Sequence, residues 1–256
     1  MTADIDNRHF GAIAENYRAI RPAYPDALFD FLAAQIDRHE LAWDCGTGSG
    51  QSAAALAKRF RRVRATDSDP RQLAAAIHAP NIDYALLPAE ADAGLDGVVD
   101  LITCACAVHW FNLDAFYATA RRALRPRGVI AVWTYDWPWT GAPAVDAAMR
   151  RLKDDVLGPW WGPESAYYFG RYENLPFPFT EIPCPAFTVE IAQKPDDLLG
   201  FVGTWSAVTR YRDRLGQDPL AAVQDELTMA WRARPPALPL RIPLHLRVGR
   251  QADDAS

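Results

Sequence analysis

Within Leu41-Ala42-Trp43-Asp44-Cys45-Gly46-Thr47-Gly48-Ser49-Gly50-Gln51, an apolar run leads to one acid and then to three close-set glycines that open an alanine-rich stretch. Glycines at 46, 48 and 50 allow a tight turn and a close approach of backbone to ligand, and the helix that follows presents unpaired N–H groups. A pyrophosphate would suit that helix start, but it has no use for a carboxylate two residues before the first glycine. Asp44 therefore points to a nucleoside cofactor that carries positive charge. The competing reading of the glycines alone is a plain tight turn.

S-adenosylmethionine meets this description: it has a sulfonium, an ammonium and a carboxylate but no phosphate, so an acid at a strand end can accept from its amino group. The segment Asp44-Cys-Gly-Thr-Gly-Ser-Gly resembles the first motif of class I S-adenosylmethionine-dependent methyltransferases. Further segments are similar to the small-molecule branch that includes trans-aconitate methyltransferase-like proteins. These are Phe10-x3-Ala14-x2-Tyr17-x3-Arg21-Pro22-x-Tyr24-Pro25, Asp67 after the next strand, and Ala107-Val108-His109-Trp110-Phe111-Asn112. The likeness runs from about residue 8 to 135. It implies a doubly wound, mostly parallel seven-stranded α/β sheet and methyl transfer that leaves S-adenosylhomocysteine.

Other cofactor contacts follow from what such a ligand offers. Its ribose presents two vicinal hydroxyls, and a carboxylate ending the second strand, Asp67, can accept both; a capping acid is the other reading, better suited to Asp69 before Pro70. The resemblance places adenine between Ser68 and the segment Ala89-Glu90, although Leu87-Pro88-Ala89 reads equally as a strand exit. Gln51 could reach the methionine portion or sit in solvent. Tyr17 and Arg21 either close residues 1–25 over the cofactor, through a bidentate arginine and a tyrosine near the sulfonium, or simply pin that arm to the sheet.

Methyl transfer from sulfonium is an in-line displacement, so orientation and water exclusion matter most, and a base is needed only where the accepting atom holds a proton. His109, after the fourth strand, reads as base, orienting donor or structural histidine. Trp110, Trp133, Tyr135 and Trp137 are candidate substrate residues, with core packing as the alternative for any one ring. An oxygen acceptor, carboxylate or hydroxyl, is favoured by family likeness over nitrogen or carbon. A catalytically silent binder of the cofactor would keep the same cofactor residues. A nicotinamide-dependent oxidoreductase would need GxGxxG, and position 51 is glutamine.

Those residues need a frame. An amphipathic helix is expected over Leu28 to Ile36. Strands are expected at Leu41–Asp44, Val63–Thr66, Ile82–Leu87, Val98–Cys104 and Val129–Tyr135, with helices over Ser52–Phe60, Asp69–Ile77 and from Asn112 or Asp114 to Leu124. This alternation implies parallel pairing with helices on both faces and ligands at the carboxyl ends of the strands. Residues 136–185, rich in proline and aromatics, read as an inserted cap in a single domain of 1–256. Beyond them a strand at Phe187–Ile191, helices at Asp196–Arg214 and Pro219–Trp231, and an antiparallel strand at Leu240–Val248 are expected.

Half of the 256 residues are apolar and 23% charged, ordinary for a soluble globule, and a net charge of −5 offers no general attraction for nucleic acid. The chain lacks the Asn/Asp-Pro-Pro-Tyr/Phe motif that the resemblance associates with methylation of base amino groups. The arginines at 59, 61, 62 and 64, and at 121, 122, 125 and 127, lie where helices should end and cations suit the dipole. The four cysteines lack CxxC pairing and ligand-spaced histidines, so reduced thiols and no metal are expected. The first residues lack a secretory apolar stretch and no run is long enough to span a membrane, which leads to an expected cytoplasmic location and no membrane partner; oligomeric state is not legible.

Overall fold

The computed structural model describes residues 23–232 and 234–251. The alternation of the sequence emerges as helix α1 (Asp26–Ala33), β1 (Leu41–Cys45), α2 (Gln51–Ala57), β2 (Arg62–Asp67), α3 (Pro70–Ala74), β3 (Ile82–Leu86), β4 (Val99–Ala105), α4 (Leu113–Ala123) and β5 (Leu124–Tyr135). Later come α5 (Pro143–Arg151), α6 (Ser165–Phe169), β6 (Thr180–Glu181), β7 (Phe187–Gln193), α7 (Pro195–Val202), α8 (Ser206–Leu215), α9 (Ala221–Trp231) and β8 (Leu238–Arg250). The strands form one eight-stranded sheet in the order β3-β2-β1-β4-β5-β8-β6, with β7 also pairing β8.

Strands β1 to β5 pair in parallel, and β8 runs antiparallel to both β5 and β6. The fold is thus mixed α/β with a mostly parallel sheet. One strand more is present than the seven expected. The addition is β6, two residues long and exposed, which is too short to carry an alternating pattern.

Local chemistry accounts for the elements that position the ligand edge. In α1, Leu28, Phe29 and Leu32 fall on one buried face. Trp133 of β5 packs edge-on to Phe29 and Tyr24, with centroids 6.2 and 5.3 Å away. On α2 the small side chains of Ser52 and Ala53 are buried together with Leu56. Asp69 caps α3 by accepting the Arg71 N–H, with Pro70 at the first helical position, and Asn112 caps α4 by accepting from Ala115. The opposite face of the sheet buries Trp43, Cys104, Ile130 and Val132 against Phe116, Tyr117 and Ala120 of α4.

The base of the sheet is tied by a buried ion pair. Asp100, at 0% exposure, accepts the Glu40 and Leu41 N–H groups at 2.8 and 3.0 Å and is bridged by Arg125.

Two further expectations differ. The helix expected over Asp196–Arg214 is two, α7 and α8, because the chain breaks at Gly203-Thr204-Trp205: the Thr204 hydroxyl donates to the Phe201 carbonyl and Trp205 is extended at the start of α8. Strand β5 begins at Leu124 rather than Val129, with a register shift opposite Val99/Leu101 absorbing Pro126-Arg127-Gly128.

The described chain groups into two compact units. One holds residues 23–136, 167–187 and 244–251, which include the parallel strands and α1 to α4. The other holds 137–166 and 188–243, and its core includes Trp137 packed on Trp205 at 4.6 Å. Residues 136–185, read above as a cap, are divided between them.

Candidate active site

The carboxyl ends of β1, β2 and β4 meet at the glycine turn. Asp44, near the end of β1, pairs in register with Thr103 of β4. Its Oδ1 accepts the Thr103 hydroxyl and its Oδ2 the Thr47 hydroxyl, each at 2.6 Å, and its exposure is 0%. Burial pushes this carboxyl above the usual carboxylate range, and the Thr103 and Thr47 hydroxyls pull part of the way back. Asp44 thus braces the turn from beneath, with both oxygens engaged.

The turn uses its glycines differently. At Gly46 (φ +67) a Cβ would lie 2.7 Å from the Ala107 Cβ, so the backbone here packs directly on the segment after β4. At Gly48 (φ +57) a Cβ would meet only Gln72 Oε1, at 3.6 Å, which leaves this backbone approachable. At Gly50 (φ +81), the residue preceding α2, a Cβ would sit 2.2 Å from the Tyr84 hydroxyl. That hydroxyl donates to the Ile77 carbonyl, and burial raises its pKa to about 12.

Asp67 closes the turn from β2. Its Oδ2 accepts the Gly48 N–H at 2.8 Å and its Oδ1 the Asp69 N–H at 2.9 Å. Each oxygen so used retains a further lone pair, and two such acceptors side by side suit a vicinal diol. The arrangement fits the ribose of S-adenosylmethionine. Nearby, Ser68 is exposed and Gln51 half-buried at the start of α2. Ala89 is buried in the core, and Glu90 accepts the Asn112 N–H through Oε1 at 2.8 Å, joining the exit of β3 to the cap of α4. Tyr17 and Arg21 lie outside the described residues, as does almost all of 1–25.

Past β4, His109 sits in a short helical turn, Val108–Trp110. Its Nδ1 lies 2.6 Å from the Tyr172 hydroxyl, and its ring neighbours Trp110, Tyr168 and Tyr172 at centroid distances of 5.5, 6.4 and 5.9 Å. Tyr168 in turn meets Tyr135 edge-on at 6.1 Å. Trp110 is half exposed. Among the expected substrate residues Trp133 stands apart: it is wholly buried between Tyr24 and Phe29, and its ring is part of the core. Trp137 belongs to the other compact unit. Tyr168 and Tyr172 went unnamed among the candidates; their only signal was membership of a long aromatic-rich segment.

Among the described residues no group of three or more His, Cys, Asp and Glu is placed to hold a metal ion, and no helix is long and apolar enough to cross a membrane.

A mostly parallel sheet with this glycine turn and Asp67 at its carboxyl edge defines a Rossmann-like methyltransferase fold. A methyltransferase domain family matches residues 43–132. A protein of Dictyostelium discoideum assigned as a methyltransferase is 30% identical over 226 residues, covering 87% of this chain and 86% of that one. A solved structure from Anaeromyxobacter dehalogenans, assigned as a type II methyltransferase, is 41% identical, covers 91% of this chain and 99% of its own, and superposes with a TM-score of 0.81. The biotin biosynthesis bifunctional protein of Bordetella avium is 39% identical over 138 residues, half of this chain and 29% of its own. The chain belongs to the class I S-adenosylmethionine-dependent methyltransferases and is an enzyme of that class.

Proposed function

We propose that the enzyme methylates a small molecule at oxygen, a carboxylate or hydroxyl, within the branch that includes trans-aconitate methyltransferase-like proteins. The observation that carries this reading is the placement of His109 straight after β4, inside a ring cluster of Trp110, Tyr168 and Tyr172. Flat aromatic walls with one polar group suit a small acceptor. The chain lacks the Asn/Asp-Pro-Pro-Tyr/Phe motif that family resemblance associates with methylation of base amino groups, and the negative net charge disfavours a nucleic-acid acceptor. A partial relative is named for the biosynthesis of biotin, itself a small molecule.

In this reading S-adenosylmethionine supplies an electrophilic methyl on sulfonium. Asp67 holds the ribose hydroxyls, Gly46, Gly48 and Gln51 the methionine portion, and Ser68, Ala89 and Glu90 the adenine. Asp44 sets the turn and lends negative potential beneath the cationic ligand. His109 orients the acceptor, with Trp110 and Tyr135 beside it. These roles orient and desolvate, which is where a displacement that disperses charge gains most.

The test is transfer of labelled methyl from S-adenosylmethionine to a panel of small carboxylic acids, phenols and aromatic amines. An ester or ether product with release of S-adenosylhomocysteine is expected. Label appearing only on amines, or only on macromolecules, overturns the reading.

A further inference from the structure

Arg171 and Tyr172 are consecutive non-glycine residues with positive φ, +55 and +60. A bulky side chain in that region is strained and persists only where its surroundings overdetermine it. Here they do. The Tyr172 N–H donates to the Tyr167 carbonyl at 3.0 Å, and the Tyr172 carbonyl accepts from the Leu175 N–H and from Arg247 Nη1, both at 3.2 Å. Arg247 also reaches the Leu175 carbonyl at 2.8 Å and is itself clamped by Glu181, while Arg171 pairs with Asp136 at 2.9 Å. The result drives the Tyr172 ring wholly into the core with its hydroxyl against His109 Nδ1.

The direction of that bond decides what His109 can do. Burial, with Cys106 and Cys104 adding to it, holds the phenol pKa well above its usual value, so the hydroxyl keeps its proton. A buried O–H needs an acceptor. An imidazole nitrogen accepts more strongly than a phenol oxygen, and a phenol donates more strongly than an imidazole N–H. Thr134, also wholly buried, is a second polar side chain at the phenol and can donate to its oxygen.

We propose that Tyr172 is a positioning residue whose hydroxyl donates to Nδ1 of His109, holding the ring in one orientation with the proton on Nε2, so that His109 meets the acceptor as a hydrogen-bond donor and not as a base. This rests on the reading of His109 as acceptor-facing. It requires an acceptor atom with no proton to surrender, and it gives the backbone strain at 171–172 a use.

The test is nitrogen-15 NMR of the full chain labelled at its five histidines, loaded with S-adenosylhomocysteine, in wild type and Tyr172→Phe. The expected result is a single Nε2–H tautomer for His109 with a hydrogen-bonded Nδ1, and in Tyr172→Phe a shift of that Nδ1 signal alone. With a carboxylic acid of the panel, ionised at neutral pH, kcat should fall about tenfold, the kinetic equivalent of one hydrogen bond, with KM for S-adenosylmethionine unchanged. A proton on Nδ1 in wild type, or an Nδ1 signal indifferent to the substitution, overturns the proposal. Should Tyr172→Phe fail to fold, wild type alone decides: a protected tyrosine O–H coupled to His109 Nδ1 supports it and absence of that coupling refutes it. Undiminished transfer by His109→Ala would sink the acceptor-facing reading yet leave these spectra as they are, so the two failures are distinguishable.

Discussion

The Asp67 carboxylate accepts the Gly48 N–H at 2.8 Å, so the end of β2 holds the glycine turn that follows β1. One side chain thereby shapes the loop and offers acceptors at its rim. Asp67→Asn removes the charge and turns an amide donor toward either Gly48 or Asp69. Affinities for S-adenosylmethionine and S-adenosylhomocysteine should fall together, about 10- to 100-fold, since a hydrogen bond to a charged group is worth about 1.5–3 kcal/mol. Calorimetry with both ligands checks this, and an unchanged pair of affinities would remove Asp67 from the site.

Asp44 predicts a different pattern. Burial raises its pKa above 3.8, so its ionised form is the disfavoured one, and its contribution to stability is present at low pH and lost as pH rises through its own pKa. The difference in melting temperature between wild type and Asp44→Asn should therefore move in favour of the variant as pH climbs from the ordinary carboxylate range. In binding the sign reverses: the anion favours a cationic ligand, so the variant should lose about tenfold for S-adenosylmethionine through the lost attraction across the turn, and less for S-adenosylhomocysteine, whose sulfur is uncharged. Equal losses for both would place the effect at the ammonium that the two ligands share, and no loss for either would contradict the electrostatic role.

Gly50→Ala puts a methyl 2.2 Å from the Tyr84 hydroxyl at φ +81. A left-handed alanine and an overpacked contact together should cost roughly 2–4 kcal/mol in urea unfolding. Adding Tyr84→Phe should return part of the loss by removing the clashing oxygen. Full stability in the single variant would mean that the turn is not as close as described.

His109→Ala tests the acceptor side. Transfer should slow by about tenfold or more while S-adenosylmethionine affinity holds, because an orienting donor acts on the acceptor. Full turnover from about pH 6 to 9 would dismiss both catalytic roles for this residue.

Asp100→Ala leaves Arg125 and two backbone N–H groups without their buried acceptor. A destabilisation of about 3–5 kcal/mol is expected, read by urea unfolding, with cofactor affinity unaffected in the folded fraction because Asp100 lies at the opposite end of the strands from the turn.

The parts legible in the sequence were those with a local cause. Glycines flanking a helix start, the Asp69-Pro70 cap, a cap at Asn112, one of the two positions expected, and the alternation of apolar strand with amphipathic helix are written in neighbouring residues, and the structure has each of them. The break at Gly203-Thr204-Trp205 was missed because apolar periodicity runs through it, and β6 because two residues have no period.

By itself, then, the sequence determined the succession of strands and helices in the parallel half and the glycine turn after β1, since backbone freedom, caps and hydrophobic period act over a few residues. Only tertiary structure decided that Asp44 lies sealed beneath the turn on Thr103, 59 residues away, that Trp133 is core, and that Tyr172 reaches His109 across 63 residues. Such pairings depend on which strands lie side by side and on how a strained loop is clamped, and no spacing in a linear chain encodes them.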